Sequence, residues 1–215
     1  MPVPNDILAS LDAIENLAPE HVSLGKEMLE ADNGTFYGMD LLTLGALNRS
    51  LDHLSGFQSL IRGGSWLSAG ALLRVQLDTA LRYLAATLVD DPHEFAGAVM
   101  GGAKIRNMED REGKKMTDAY LVSKLGERYP WIPASYEKMS GYVHLSSEHL
   151  SAPFYASGDD VTRTVEFEIG SMKGEVPHFI YVQLTTTFLL ATEIFLEYAG
   201  NWVATKKFVA SSRQS

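Results

Sequence analysis

Wound as an α-helix, the stretch from Ser65 to Asp90 is apolar on most of its sides. Leu67, Leu72, Leu73, Val75, Leu77, Leu81, Tyr83, Leu84, Leu88 and Val89 leave little room for a solvated face. Such a helix needs other elements to cover it, so it belongs at the centre of a fold rather than at its edge. The rest of the chain must therefore supply apolar stripes of its own.

It does so at helical spacing. Leu44, Leu47, Leu51, Leu54 and Ile61 form a heptad-like stripe on a helix predicted from Phe36 to Arg62 and closed by Gly63-Gly64. Ile180, Leu184, Phe188, Ala191, Phe195, Ala199 and Trp202 recur every three or four residues in a final helix predicted from Pro177 to Lys206. Shorter helices are expected over Asp6–Ala18 and Pro19–Glu30, before a turn at Asp32-Asn33-Gly34. Asp91-Pro92 starts another, expected to run towards Met108 with Gly101-Gly102 inside it as a close packing contact or a kink. Glu109–Lys115 reads as an exposed loop or a helix continuation. Thr117–Arg128 and Ala134–Ser146 complete the set, separated by a rigid Pro130-Trp131-Ile132-Pro133 corner. Thr164 to Ile169 alternates with period two instead, so a small β-hairpin or extended arm is expected between Ser151 and Glu175. The expected fold is all-α: one antiparallel helical bundle over residues 1–215. It has short helices over 1–31, core helices over 36–150, the arm over 151–175 and a C-terminal helix over 177–206.

Composition narrows the function classes. With no cysteine there is no disulfide scaffold, thiolate metal site or cysteine nucleophile. A net charge of −9 repels phosphate backbones, so broad nucleic-acid binding is not expected. The first residues have neither a basic region nor an apolar run of the kind a secretion signal needs. The most apolar long stretch, Val176 to Val203, is interrupted by His178, Gln183, Glu193 and Glu197. A membrane span needs about 20 nearly uncharged residues, so this stretch reads as a helix buried in protein. The expectation is a cytoplasmic chain without membrane association. No phosphate-loop, dinucleotide-binding or nucleophile-elbow pattern is present, and no cofactor is expected.

Three groups of residues could carry chemistry. Arg74, Asp78 and Arg82 stand at i, i+4 and i+8 on the most apolar helix. They would form either a groove-facing row that binds an anion or orients a catalytic group, or a solvated stripe whose two ion pairs contribute about 0.3–0.5 kcal/mol each. The second group is Tyr142, His144, Ser146, Glu148 and His149. On a continuous helix, His144 and Glu148 would share a face. An imidazole there would serve as general acid or base near neutral pH, or as a helix-end histidine bonded to backbone. The spacing is not that of the two-histidine zinc motif. A metal would need a further ligand, such as Asp52 or His53, and no metal site is assigned. Third, Arg49 and His53 form an i, i+4 pair, with an exposed polar face as the bland reading. Tyr129, Trp131 and Tyr136 at the proline corner suit core closure better than base stacking, since no basic residues interleave them.

The run Leu72-Leu73-Arg74-Val75-Gln76-Leu77-Asp78, continuing to Leu81-Arg82-Tyr83-Leu84, resembles the central helix of a diffuse group of bacterial helical proteins of unknown function. Tyr136, Met139-Ser140-Gly141-Tyr142-Val143-His144 and Ser146 resemble the second motif of that group. The resemblance covers about residues 40 to 150 and is loosely HEPN-like, which implies a helical domain and, for many such proteins, RNase activity in toxin or anti-phage systems. The HEPN motif is an arginine, then four to six residues, then a histidine, and Arg49 and His53, with three residues between them, do not fit it. Here Lys138 has that spacing to His144, and lysine lacks the planar fork that arginine offers to phosphate.

Three functions are open on these grounds. One is a non-catalytic module that binds a protein or small-molecule partner, with homo-oligomerisation through the final helix as one form of it. The second is a HEPN-like nuclease using His144, with Arg74 or Lys138 on phosphate. The third is a helical metalloprotein built on His144, Glu148 and His149.

Overall fold

The computed structural model describes residues 4–151, 158–159, 164–165 and 176–213. The helices are α1 (Asn5–Glu15), α2 (Ala18–Glu30), α3 (Gly38–Arg62), α4 (Trp66–Ala85), α5 (Pro92–Met100), α6 (Asp118–Arg128), α7 (Ile132–Val143), α8 (Ser147–Ser151) and α9 (His178–Ser212). The protein is all-α. Helix α4 takes the central place its sequence demands, touching α3, α6, α7 and α9. Trp66, Leu73, Leu77, Leu81 and Tyr83 are all buried on it. Phe57 of α3 and Phe188 of α9 stack with ring centroids 4.0 Å apart in the same core.

Local chemistry accounts for most helix ends. Asp91 starts α5 by accepting from the amides of His93 at 2.8 Å and Glu94 at 3.0 Å, with Pro92 in the first turn. Thr117 does the same for α6 through the Tyr120 amide. The other end of α5 corrects the sequence reading. Gly101-Gly102 does not lie inside a helix but terminates one. Gly102 has φ +90, and the amides of Gly102 and Ala103 close back onto the carbonyls of Val99 and Ala98. This is the double closure that a left-handed residue allows, and glycine adopts it without a Cβ clash. The chain then passes through a short 3-10 turn, Ile105–Asn107.

Two further boundaries differ. Helix α7 starts at Ile132 with Pro133 in its first turn, and it ends at Val143 rather than Ser146. Helix α9 runs six residues past the expected Lys206, to Ser212. Most of the expected arm lies outside the described residues. Only a two-residue antiparallel pairing of Gly158–Asp159 with Thr164–Val165 is described there, which does not support a hairpin arm as an element of the fold.

One contact sets the position of α7. A Cβ on Gly70 would lie 2.5–2.9 Å from the ring of Tyr142, so only glycine lets this ring sit on α4. Tyr142 also meets Trp66 edge-on, with centroids 6.0 Å apart. This packing brings the C-terminal turn of α7 beside the polar row of α4.

Candidate functional site

The row on α4 is neither solvated nor sealed. The side chains of Arg74, Asp78 and Arg82 retain 15%, 26% and 26% of their exposure. Asp78 lies 3.8 Å from Arg74 and 3.2 Å from Arg82. Asp118, at the start of α6, pairs with Arg82 and approaches Arg74 to 4.0 Å. Arg82 is partly desolvated, yet Asp78 and Asp118 together hold its pKa above the ordinary arginine value. Arg74 lies over the Tyr136 ring at 3.6 Å, donates to the Tyr136 hydroxyl, and donates through Nε to Ser140 Oγ at 3.2 Å. Burial raises the pKa of Tyr136, while Arg74 opposes that shift. The donors of Arg74 and Arg82 thus go largely to Asp78 and to groups on α6 and α7, although Arg82 Nη1 is buried without a hydrogen-bond partner among the described residues.

Beside this row α3, α4 and α7 enclose a cleft of about 260 Å³, lined by Arg49, Arg74, Val75, Asp78, Ser140, Val143 and His144. Residues from all three candidate groups therefore meet in one place. Arg49 enters from α3 and donates through Nε to Thr79 Oγ1 at 3.1 Å. Its two terminal guanidinium nitrogens bond no other side chain among the described residues. His144 caps α7 in an extended conformation, φ −105 and ψ 149, and is exposed. A larger hollow of about 380 Å³ between α1, α2 and α3 includes Glu15, Gln58 and Arg62, and no histidine lines it.

Several candidates fall outside the cleft. Lys138 donates to Gln183 of α9 at 2.5 Å, so it ties two helices together. Arg82 pairs with Asp78 and Asp118 away from the lining. Tyr142 is a core residue. Ser146 donates to the Gly141 carbonyl at 2.6 Å and closes the end of α7. His149 lies in α8, with Nδ1 buried and without a hydrogen-bond partner among the described residues. The helix breaks between residues 143 and 147, so His144 and Glu148 do not share a helix face. Among the described residues no set of three or more histidines and carboxylates is arranged to hold a metal ion.

His53 is not on an exposed face. It is 8% exposed, and its Nδ1 lies 2.8 Å from Gln76 Oε1. Gln76, wholly buried, also donates to Ser50 Oγ at 2.8 Å and to Thr192 Oγ1 at 3.1 Å. Ser50 reaches Nε2 of the buried His21 at 2.8 Å. This side-chain network joins α2, α3, α4 and α9 behind the cleft. Its one visible sequence signal is a glutamine on an apolar face of the central helix. Comparison with protein-family models, curated proteins and solved structures yields no match.

Proposed function

We propose that the protein is a ligand-binding helical module whose cleft between α3, α4 and α7 takes a compact anion, with Arg49 as the principal contact. The observation that carries this reading is the state of the three arginines. Arg74 and Arg82 are engaged by Ser140, Tyr136, Asp78 and Asp118, whereas the terminal fork of Arg49 meets no described side chain. A guanidinium fork suits carboxylate or phosphate oxygens bidentately. Two guanidinium groups against one carboxylate make the lining locally positive on a chain of net charge −9. The volume lies below the range of about 300–1,000 Å³ usual for drug-sized ligands, which favours a small oxyanion or a short carboxylate. The reading treats α9 as a core helix of a cytoplasmic protein. By length and composition α9 would also suit a membrane, but more than half of its most apolar window is buried.

Titration calorimetry with inorganic phosphate and small carboxylates tests the proposal. Arg49→Ala should weaken binding at least about tenfold, the loss of one charge-assisted contact, with an unchanged thermal melt. Equal binding by the variant, or no anion bound by the wild type, would overturn it.

A HEPN-like ribonuclease is the second reading, favoured by His144 lining the same cleft as Arg49 and Arg74. It requires RNA cleavage that disappears in His144→Ala. Lys138 gives it no support as the phosphate contact, because its ammonium is held by Gln183.

A further inference from the structure

The hollow between α1, α2 and α3 shares no lining residue with the Arg49 cleft. Its volume is about 380 Å³, near the small end of the range of about 300–1,000 Å³ usual for ligand sites. One face of α3 forms a wall of it, where Leu51, Leu54, Gln58 and Arg62 recur at intervals of three and four residues. Glu15, the last residue of α1, and Ala18, the first of α2, complete the lining from the neighbouring helices. Leu54 is buried, and Leu51 and Ala18 are half-buried, so the hollow has apolar surface as well as charge.

Two opposite charges line this hollow, and neither is engaged. The side chains of Glu15 and Arg62 form no ion pair or hydrogen bond among the described residues, with each other or with any third group. The Gln58 amide, one turn before Arg62, has no partner there either. Glu15 also stands where a carboxylate is disfavoured. It closes the C-terminal end of α1, the negative end of the helix dipole, and the last turn of that helix carries no basic residue. An ammonium group seated on Glu15 compensates both the carboxylate and the helix end. The Arg62 fork is free to donate two parallel bonds to a carboxylate. Opposite charges that share a hollow without pairing are complementary to one molecule that carries both.

We propose that this hollow is a second binding site, and that it takes a free α-amino acid with an aliphatic side chain. The ammonium pairs with Glu15, the carboxylate with Arg62, and the side chain lies on Leu51, Leu54 and Ala18. Gln58, which offers an acceptor and donors, serves either charged group. A simple anion gains one contact here and meets Glu15 as a like charge. The site thus differs from the Arg49 cleft, whose two guanidinium groups against one carboxylate favour a net anion, and it does not depend on that reading.

The probe is L-leucine, titrated into the full chain and followed by amide NMR. N-acetyl-L-leucine, which lacks the ammonium, and L-leucinamide, which lacks the carboxylate, are titrated in parallel. The expected result is a set of shifts at Ala18, Leu51 and Gln58, with each blocked analogue binding at least about tenfold more weakly, the loss of one charge-assisted contact. Glu15→Gln should weaken L-leucine by a similar factor and leave N-acetyl-L-leucine unchanged. Arg62→Gln should do the same with L-leucinamide unchanged. Both side chains are exposed and without a partner among the described residues, so both variants should fold as the wild type does. No shift in the hollow overturns the proposal. So do blocked analogues that bind as tightly as L-leucine, and variants that bind L-leucine as well as wild type. Shifts confined to the Arg49 cleft overturn it too, while the Arg49 reading stands.

Discussion

Gln76 shows how much one side chain can organise. Its amide satisfies three polar groups from two other helices, all in the dry interior. Replacing it with alanine leaves His53, Ser50 and Thr192 each short of a partner. A buried group left wholly unsatisfied costs about 1–3 kcal/mol; Ser50 and Thr192 keep their hydrogen bonds to His21 and Phe188, so Gln76→Ala should lower unfolding free energy by less than three such losses, roughly 2–5 kcal/mol in urea denaturation. The same network makes stability depend on pH. Desolvation lowers the pKa of both His21 and His53 from the ordinary imidazole value of about 6.5. Below that value the unfolded chain binds protons that the folded one refuses. The stabilising contribution is therefore complete above pH 6.5 and is lost as pH falls through the lowered folded values. Urea midpoints should be level from about pH 8 to 7 and fall from about pH 6.5 to 5. A midpoint that stays flat over the lower range would contradict neutral, buried histidines. In the sequence, Gln76 was visible as a polar residue on an apolar helix, whereas its partners were not, because Ser50 and Thr192 lie 26 and 116 positions away.

Helix ends decided more of the site than helix interiors did. The stop of α7 at Val143 places His144 in extended backbone at the cleft mouth and separates it from Glu148. Periodicity sees apolar spacing and misses such a stop, since Val143 and Leu145 continue a helical pattern while both are exposed. Starts were legible where a capping residue announces them, as at Asp91-Pro92 and Thr117. The end of α4 depends on a distant residue. Arg111 donates to the carbonyls of Thr87, Leu88 and Val89, at 2.8, 3.1 and 2.9 Å respectively, and its own amide bonds Leu88. These groups follow the last turn of α4, where a cation is also favoured by the helix dipole. Arg111→Ala should lower the melting temperature and speed amide exchange in the segment that follows α4, with anion binding intact. Exchange unchanged there would mean that water caps the segment equally well.

At the scale of the whole molecule, α9 closes the bundle through a buried ion pair. Lys206 Nζ donates to Asp40 Oδ2 and to the Met28 carbonyl, both at 2.8 Å, with side chains 1% and 0% exposed for Lys206 and Asp40. Trp202 Nε1 and the Tyr37 amide complete the shell of Asp40. Lys206→Met strands a buried carboxylate, and breaking such pairs costs about 3–5 kcal/mol. Denaturant unfolding should show that loss, with part of it recovered in the double variant Asp40→Leu/Lys206→Met because no lone charge remains. A double variant less stable than Lys206→Met would mean that the bonds from Trp202 and Tyr37 outweigh the charge. The sequence by itself determined that the chain is all-α and that α4 is its centre, but not that α6 and α7 pack on it beside α3 and α9. Apolar spacing within a segment is a local property and is enough for the first two. Only the tertiary structure decided that Arg49, Arg74, Asp78 and His144 share one cleft, that Lys138 and Tyr142 serve packing, and that Lys206 belongs to the core. Polar partners are chosen by which faces meet when helices pack. That choice turns on single contacts such as Gly70 against Tyr142, which no spacing along the chain records.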